Sequence, residues 1–334
     1  MMPLSPTPCC VRRIAPALLA LGLGCACEPP PPEDLIPAEC RDDTLIDVGS
    51  STPAARRGQV KLIEIHHADG SATTTVVGAK FADFSLYTGS SQQGIELSPT
   101  CIGLTGQPVR SDMHCEYTTQ TCEQNSDCAA GVDCRESDRL DVASVHIAGL
   151  AAGAIDLDQQ GLGSFIKAGL ASLYGSSTVG IQFTASNGAH PFVLNDGSLL
   201  DIPAPPAVEG VTPNLAGSTA LEREDTFLRW SAGPDPDAAV FIDVIARQQF
   251  ITDPSIERNV NVSCVALDDG CQTLWAGAVD WLVRPEPDWQ MTDSVTVIVS
   301  RRTQMRVDLS ADTPDTELTA SLSSELHGSM RFQP

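Results

Sequence analysis

VKLIEIHHA, residues 60–68, decides the fold class, because its apolar residues alternate instead of recurring every three or four positions. Ile63 and Ile65 fall on one face with Lys61 at its edge, the period-two pattern of a β-strand. Short apolar segments of the same kind follow: TTVVGAKF (74–81), FSLYTG (84–89), VASVHIAGL (142–150), TVGIQFTA (178–185) and PFVLN (191–195), divided by Gly, Ser and Asn turns. DIPAPPAVEG (201–210) interrupts the series, since its prolines cannot donate to a ladder and favour an exposed connection. Beyond it come FLRWS (227–231), AAVFIDVIA (238–246), VNVSCVA (260–266), SVTVIVS (294–300), MRVDLS (305–310) and LTASLSSEL (318–326), bounded by turns such as GPDPD and DDG.

The pattern predicts an all-β protein of two β-sandwich domains, Ig-like or jelly-roll-like, over residues 58–202 and 214–334, with a linker at 203–213. Two stretches read as helix instead. Gly163–Tyr174 spaces Phe165, Leu170 and Leu173 at helical intervals, and TLWAGAVDWLV (273–283) does the same with Leu274, Ala278, Trp281 and Leu282, to cap one end of the second core. Trp230 and Trp281 read as core fillers, the commonest use of so large an apolar surface.

Length and charge bound the function. A chain of 334 residues has room for two ordinary cores. Its 43 acidic against 20 basic residues give a formal charge of -23, which repels phosphate backbones and excludes nucleic acid as a partner. With 42% apolar and 19% charged residues it lies in the globular regime, and 26 Gly with 24 Pro call for many turns.

The N-terminal region has the order of an export signal. Residues 1–24 run from Arg12 and Arg13 through the apolar stretch Ile14–Gly24, which spans only about 16 Å as a helix, roughly half a bilayer. Leu23-Gly24-Cys25 resembles the lipobox of bacterial lipoproteins, in which the Cys is lipidated on sulfur, becomes the new N-terminus and is acylated there. Gly22 stands where that family usually has Leu, and Cys25-Ala26-Cys27 is the alternative site. The resemblance implies Cys25 (alternatively Cys27) as the lipidated residue, the lipid bilayer as a partner through the acyl chains, and a place at the outer membrane or cell surface. Residues 25–57 then form a proline-rich tether; its segment Glu28–Glu39 reaches about 37 Å in polyproline geometry and would hold the folded body clear of a membrane.

Eight cysteines follow residue 27: Cys40, Cys101, Cys115, Cys122, Cys128, Cys134, Cys264 and Cys271. An even set in an exported chain reads as disulfides. Parity prefers Cys27 for lipidation, since Cys25 would leave Cys27 unpaired, whereas the flanking residues prefer Cys25. Cys264 and Cys271 flank a short loop and are the default pair there. CEYTTQTCEQNSDCAAGVDC (115–134), inside an insertion at 111–139, has no Cys-x-x-Cys, so disulfides are favoured over zinc; its four cysteines allow three pairings. Asp127, Cys128, Gly131 and Cys134 resemble the small "DC..G..C" modules of bacterial surface lipoproteins, a group with no common activity, so the likeness implies a location and no chemistry.

Catalytic signatures are absent: there is no Gly-x-Ser-x-Gly, His-Glu-x-x-His or phosphate-binding Gly-x-x-x-x-Gly-Lys. Glu64 and His66 project from one side of a strand, with His67 beside them, and read as a solvated strand face. Asp156, Asp158 and Gln160 resemble the start of a calcium loop, but Lys167 occupies the position of the closing acid. No cofactor is implied. The expectation is a non-enzymatic, membrane-anchored binding, adhesion or envelope-structural module whose partner is an envelope polymer or surface protein. The alternative is a secreted hydrolase whose loop carboxylates converge only in three dimensions.

Overall fold

A computed structural model of the chain describes residues 56–83, 93–98, 100–106, 113–115, 122, 124–136, 138–161, 163–185, 192, 200–222, 224–235, 238–283, 287–308 and 316–332. The leader, the proline-rich segment, Cys25, Cys27, Cys40 and the strand expected at 84–89 lie outside them. The alternating stretches form strands. In chain order these are β1 (Arg56–His67), β2 (Thr74–Asp83), β3 (Gln93–Ser98), β4 (Cys101–Gly106), β5 (Met113–Cys115), β6 (Cys134–Glu136), β7 (Asp138–Arg139), β8 (Val142–Ala148), β9 (Ile155–Asp156), β10 (Asp158–Gly161), β11 (Ser164–Lys167), β12 (Thr178–Ala185) and β13 (Leu200–Pro203). After the proline-rich connection come β14 (Ala216–Leu221), β15 (Thr226–Arg229), β16 (Ala239–Phe250), β17 (Asp253–Leu267), β18 (Cys271–Leu274), helix α1 (Ala276–Leu282), β19 (Trp289–Asp308) and β20 (Thr316–Phe332). The chain is all-β and sandwich-like, and no helix among the described residues is long and apolar enough to cross a membrane.

A twelve-stranded sheet runs β10-β11-β2-β1-β20-β19-β16-β17-β4-β3, with β14 beside β20 and β7 beside β2. Its centre is the parallel pair β1–β20, flanked by antiparallel β19. A separate four-stranded sheet, β13-β12-β8-β9, covers part of one face. Two hydrophobic cores result. The first holds Val60, Leu62, Phe81, Ile147, Ile181 and Phe183 between the two sheets, with the Phe81 ring 5.4 Å from Phe183 and 5.0 Å from Phe192. The second lies under β15, β18 and α1 and holds Trp230, Ile242, Val262, Val279 and Val297.

Alternation along β20 shows how the cores relate. Leu318, Ala320 and Leu322 enter the first core, Leu326 and Met330 border the second, and all five point to one face because side chains alternate with period two. Residues 58–202 and 214–334 therefore each supply most of one core, yet strands of both are hydrogen-bonded into the same long sheet. Between the cores the inner face turns polar. Arg301, opposite Ser324, is 7% exposed and makes a two-pronged ion pair with Asp268 at 2.7 and 2.9 Å, while the Trp230 indole donates to the same carboxylate at 2.8 Å. A buried pair of this kind holds only when its remaining donors are satisfied, and here the guanidinium also donates to Ser231 O and Ala207 O.

Ile63 and Ile65 share a face, as alternation requires, and it is the outer one; the core side of β1 is Val60 and Leu62. Three expectations change. Gly163–Tyr174 is no helix: Ser164–Lys167 becomes β11, because its backbone completes the ladder beside β2 and buries Phe165. Cys264 bonds to Cys101 and not to Cys271, because the two stand directly opposite each other in the β4–β17 ladder. Cys271 is itself disulfide-bonded, but it lies in β18, which a turn at Asp268–Gly270 carries into the small sheet with β15. Glu64 is not on a solvated face: it is 7% exposed, and its Oε2 accepts bonds from Ser172 Oγ, Leu173 N and Tyr174 N. The neighbouring Tyr174 hydroxyl donates to Leu62 O and Ser323 O, and burial together with the Glu64 charge pushes its pKa far up.

The helix expected within 273–283 forms as α1, burying Ala278, Val279 and Leu282. Trp230 is buried in the second core and half-buried Trp281 packs against it.

Candidate functional site

Two places collect chemistry. The first is the cysteine-rich insertion. Its ends form the two-stranded β5–β6 ribbon, with Cys115 opposite Cys134, and its disulfides interleave: Cys115–Cys128 and Cys122–Cys134. Of the three possible pairings this one ties the tip of the segment to both strands. The turn between is organised by polar groups. Asn125 donates to Asp133 at 2.9 Å and accepts from Cys134 N at 2.8 Å, while Asp127 accepts from Gln124 N at 3.0 Å. Cys115, Cys122 and Cys128 lie close enough to hold a metal, but their sulfurs are consumed by the bridges. Gln124–Asp127 and Ala129–Gly131 turn outward to solvent.

The second place is at the end of β1 and β20, on the outer face. Parallel pairing sets His67 opposite His327 and Ile65 opposite Glu325. Each strand carries a Glu-x-His pair, Glu64-Ile65-His66 and Glu325-Leu326-His327, but the register offsets them by one residue. The first pair therefore points inward and the second outward. Inside, His66 Nε2 lies 3.1 Å from Glu64 Oε1. Outside, His327 Nε2 lies 2.7 Å from Glu325 Oε2, Ser323 Oγ donates to Glu325 Oε1 at 3.0 Å, and the His67 and His327 rings meet edge to face with centroids 6.2 Å apart. Burial raises the Glu325 pKa, but the bonds from His327 and Ser323 and the positive field of His327 and Arg302 outweigh it, so the carboxyl sits below its ordinary value.

Local sequence builds this corner. After His67 the chain turns at Ala68-Asp69-Gly70, where Gly70 N donates to His67 O and the positive φ of 79° suits glycine. This holds Asp69 beside the histidines, with its Oδ1 accepting from Ser71 N at 2.9 Å, a bond that lowers its pKa. On the other side Gly328 lets the segment before β14 approach: a Cβ there would lie 2.3 Å from Leu215 Cβ. The result is an open cavity of about 230 Å³ lined by His67, Asp69, Leu215, Ala216, His327 and Ser329.

Other residues expected to carry chemistry are kept apart. Asp156 belongs to the four-stranded sheet and pairs with His146 at 2.8 Å, whereas Asp158 belongs to the long sheet and pairs with Lys167 at 3.2 Å. Leu157 between them is buried, so the stretch crosses from one sheet to the other and does not wrap a cation; Gln160 is exposed in β10. Glu64, His66 and His67 divide between the two faces. Sequence reading passed over Glu325 and His327, although the repeated Glu-x-His spacing is a signal that could have found them. No known protein family matches this sequence, and no curated protein is significantly similar to it.

Proposed function

We propose that this chain is an exported, lipid-anchored binding protein of the bacterial surface, without catalytic activity, which presents its stapled insertion to an envelope polymer or a surface protein. The observation that carries the reading is that every described cysteine is disulfide-bonded, including the two interleaved bridges of the insertion. Such usage belongs to an oxidising space, and it agrees with the leader-like residues 1–24 and a lipidated Cys25. The insertion suits recognition physically. Its bridges remove in advance conformational freedom that an exposed loop would otherwise lose on meeting a partner. The -23 charge keeps the body away from anionic headgroups while acyl chains hold the N-terminus in the bilayer.

Intact-mass measurement on the membrane fraction, before and after reduction, tests the location. Loss of residues 1–24, added acyl mass and bridges that open on reduction are expected; an untrimmed, fully reduced chain in the cytosol would overturn it. Alanine substitution across Tyr117–Asp133 tests the recognition role. Binding to whole cells and purified envelope polymers should fall, and unchanged binding removes the insertion from that role.

A further inference from the structure

We infer that the outer corner of β1 and β20 is a binding site for a divalent transition-metal cation of the zinc type, held by His67, His327 and Asp69. Imidazole and carboxylate are the ligands such a cation takes in a three-residue site with one position left for water. The two histidines stand directly opposite each other in the parallel ladder, so their backbones are fixed at neighbouring positions by the sheet and not by a loop.

The hydrogen bonds around the pair leave the ligating atoms available. Glu325 accepts from His327 Nε2 at 2.7 Å, which places the ring proton on Nε2 and the lone pair on Nδ1. Thr74 Oγ1 lies 3.2 Å from His67 Nε2, and with that nitrogen as the donor His67 likewise presents Nδ1. Neither Nδ1 has a partner among the described residues. A carboxylate behind a ligating histidine fixes the tautomer and ring orientation and raises its basicity, and Glu325 is itself braced by Ser323 at 3.0 Å. Asp69, whose Oδ1 accepts from Ser71 N, is exposed at the cavity and carries its carboxylate just past the end of β1, beyond His67. All three residues line the same open cavity.

Distance decides whether the site is reachable. Two imidazoles sharing one zinc through bonds of about 2.0–2.1 Å have centroids roughly 5 Å apart. His67 and His327 stand at 6.2 Å. As the side chains stand, the donor atoms of His67, His327 and Asp69 are not all within 4.8 Å of one another, so sharing one cation requires both half-buried rings and the exposed Asp69 side chain to rotate toward the cavity they line. Two other histidines differ: His66 faces Glu64 on the inner side and His146 is engaged through Nδ1 by Asp156.

The test uses the full exported chain, untagged, with its disulfides formed and resident metal removed by chelation, titrated with zinc by calorimetry. One equivalent is expected to bind. His67→Ala and His327→Ala should each abolish that uptake, and His146→Ala should leave it unchanged. Glu325→Gln, which keeps the shape but removes the charge behind His327, should weaken binding about 10–100-fold. On the unsubstituted chain, zinc should protect His67 and His327 but not His146 from carbethoxylation, read by peptide mass, so the outcome does not depend on any variant folding. Absence of stoichiometric uptake, uptake that persists in the His67→Ala/His327→Ala double variant, or equal modification of both histidines with and without zinc would overturn the inference.

Discussion

The insertion between Cys115 and Cys134 and the twelve-stranded sheet solve the same problem by different means. In the sheet, order comes from burial: Phe81, Leu62 and Ile242 are fully buried and every strand has partners. The insertion contains no Leu, Ile, Phe or Met, and its most buried described side chains are Cys115 and Cys122 themselves. A segment that cannot remove apolar area from water has to limit the freedom of its unfolded state instead, and cross-links do that. The same bond therefore means different things in the two regions. Cys101–Cys264 joins residues 163 apart within an already buried ladder, whereas Cys115–Cys128 and Cys122–Cys134 span 13 and 12.

The sharpest way to break the comparison is to remove the long-range bridge. In the chain-entropy account, closing a loop of that separation is worth about 5 kcal/mol, and both sulfurs are buried, so Cys101→Ser/Cys264→Ser should cost the body up to about that much. Urea unfolding monitored by tryptophan fluorescence reads it directly. A loss under about 1 kcal/mol would mean that the ladder alone holds β4 to β17. Slightly smaller is the cost of Phe81→Ala. Its ring meets Phe165, Phe183 and Phe192, and truncating a buried aromatic of this kind costs about 3–5 kcal/mol. The same unfolding curves should shift as one cooperative transition if the two cores, which share one sheet, unfold together; a separate early transition would show them to be independent.

The outer face offers a third and smaller effect. Glu325 has a folded pKa below its unfolded one, so its contribution is fully present above the ordinary carboxylate range and is lost as pH falls through the depressed value. Hydrogen bonds to charged groups are generally worth about 1.5–3 kcal/mol, and here burial of the carboxylate offsets part of that gain. Glu325→Gln should be less stable than the unsubstituted chain near neutrality, with the gap closing on acidification. A gap independent of pH would show that His327 and Ser323 bond to Glu325 without favouring its charge.

What could be read in advance follows from what alternation encodes. A period of two marks a strand and pairs residues by face, which is why β1, β8, β12, β16 and β20 were visible in the sequence. It does not say which face is covered, so alternation puts Ile63 and Ile65 on one face of β1 without showing that the covered face is that of Val60 and Leu62. Nor does it name the neighbour. The β1–β20 pairing joins opposite ends of the described chain, and only that register brings His327 and Glu325 to His67. Closeness in sequence misled in the same way for Cys264 and Cys271, where the ladder opposite Cys264 decided the partner. Asp156 and Asp158 have the spacing of cation ligands, but the intervening buried Leu157 carries the chain between sheets.

The insertion gives the smallest effect on the body and the clearest contrast. Among the described residues its β5–β6 ribbon forms a sheet of its own, paired with no strand of the long sheet, and β7 is paired with β2 of that sheet. Cys122→Ser/Cys134→Ser should therefore lower the unfolding free energy of the body by less than about 0.5 kcal/mol, leaving its urea midpoint nearly unshifted, although closing a loop of this length stabilises the segment itself by about 3 kcal/mol. Local stability that is uncoupled from the core appears as local opening, so the variant should be cut by protease between Cys115 and Cys134 while the rest of the chain resists. If the midpoint instead falls as far as it does for Cys101→Ser/Cys264→Ser, the insertion is part of the cooperative unit, and the division between covalent and packed order described above does not hold. An unshifted midpoint with rapid local cleavage places the boundary between the two at β6 and β7, where the cross-linked segment gives way to the hydrogen-bonded sheet.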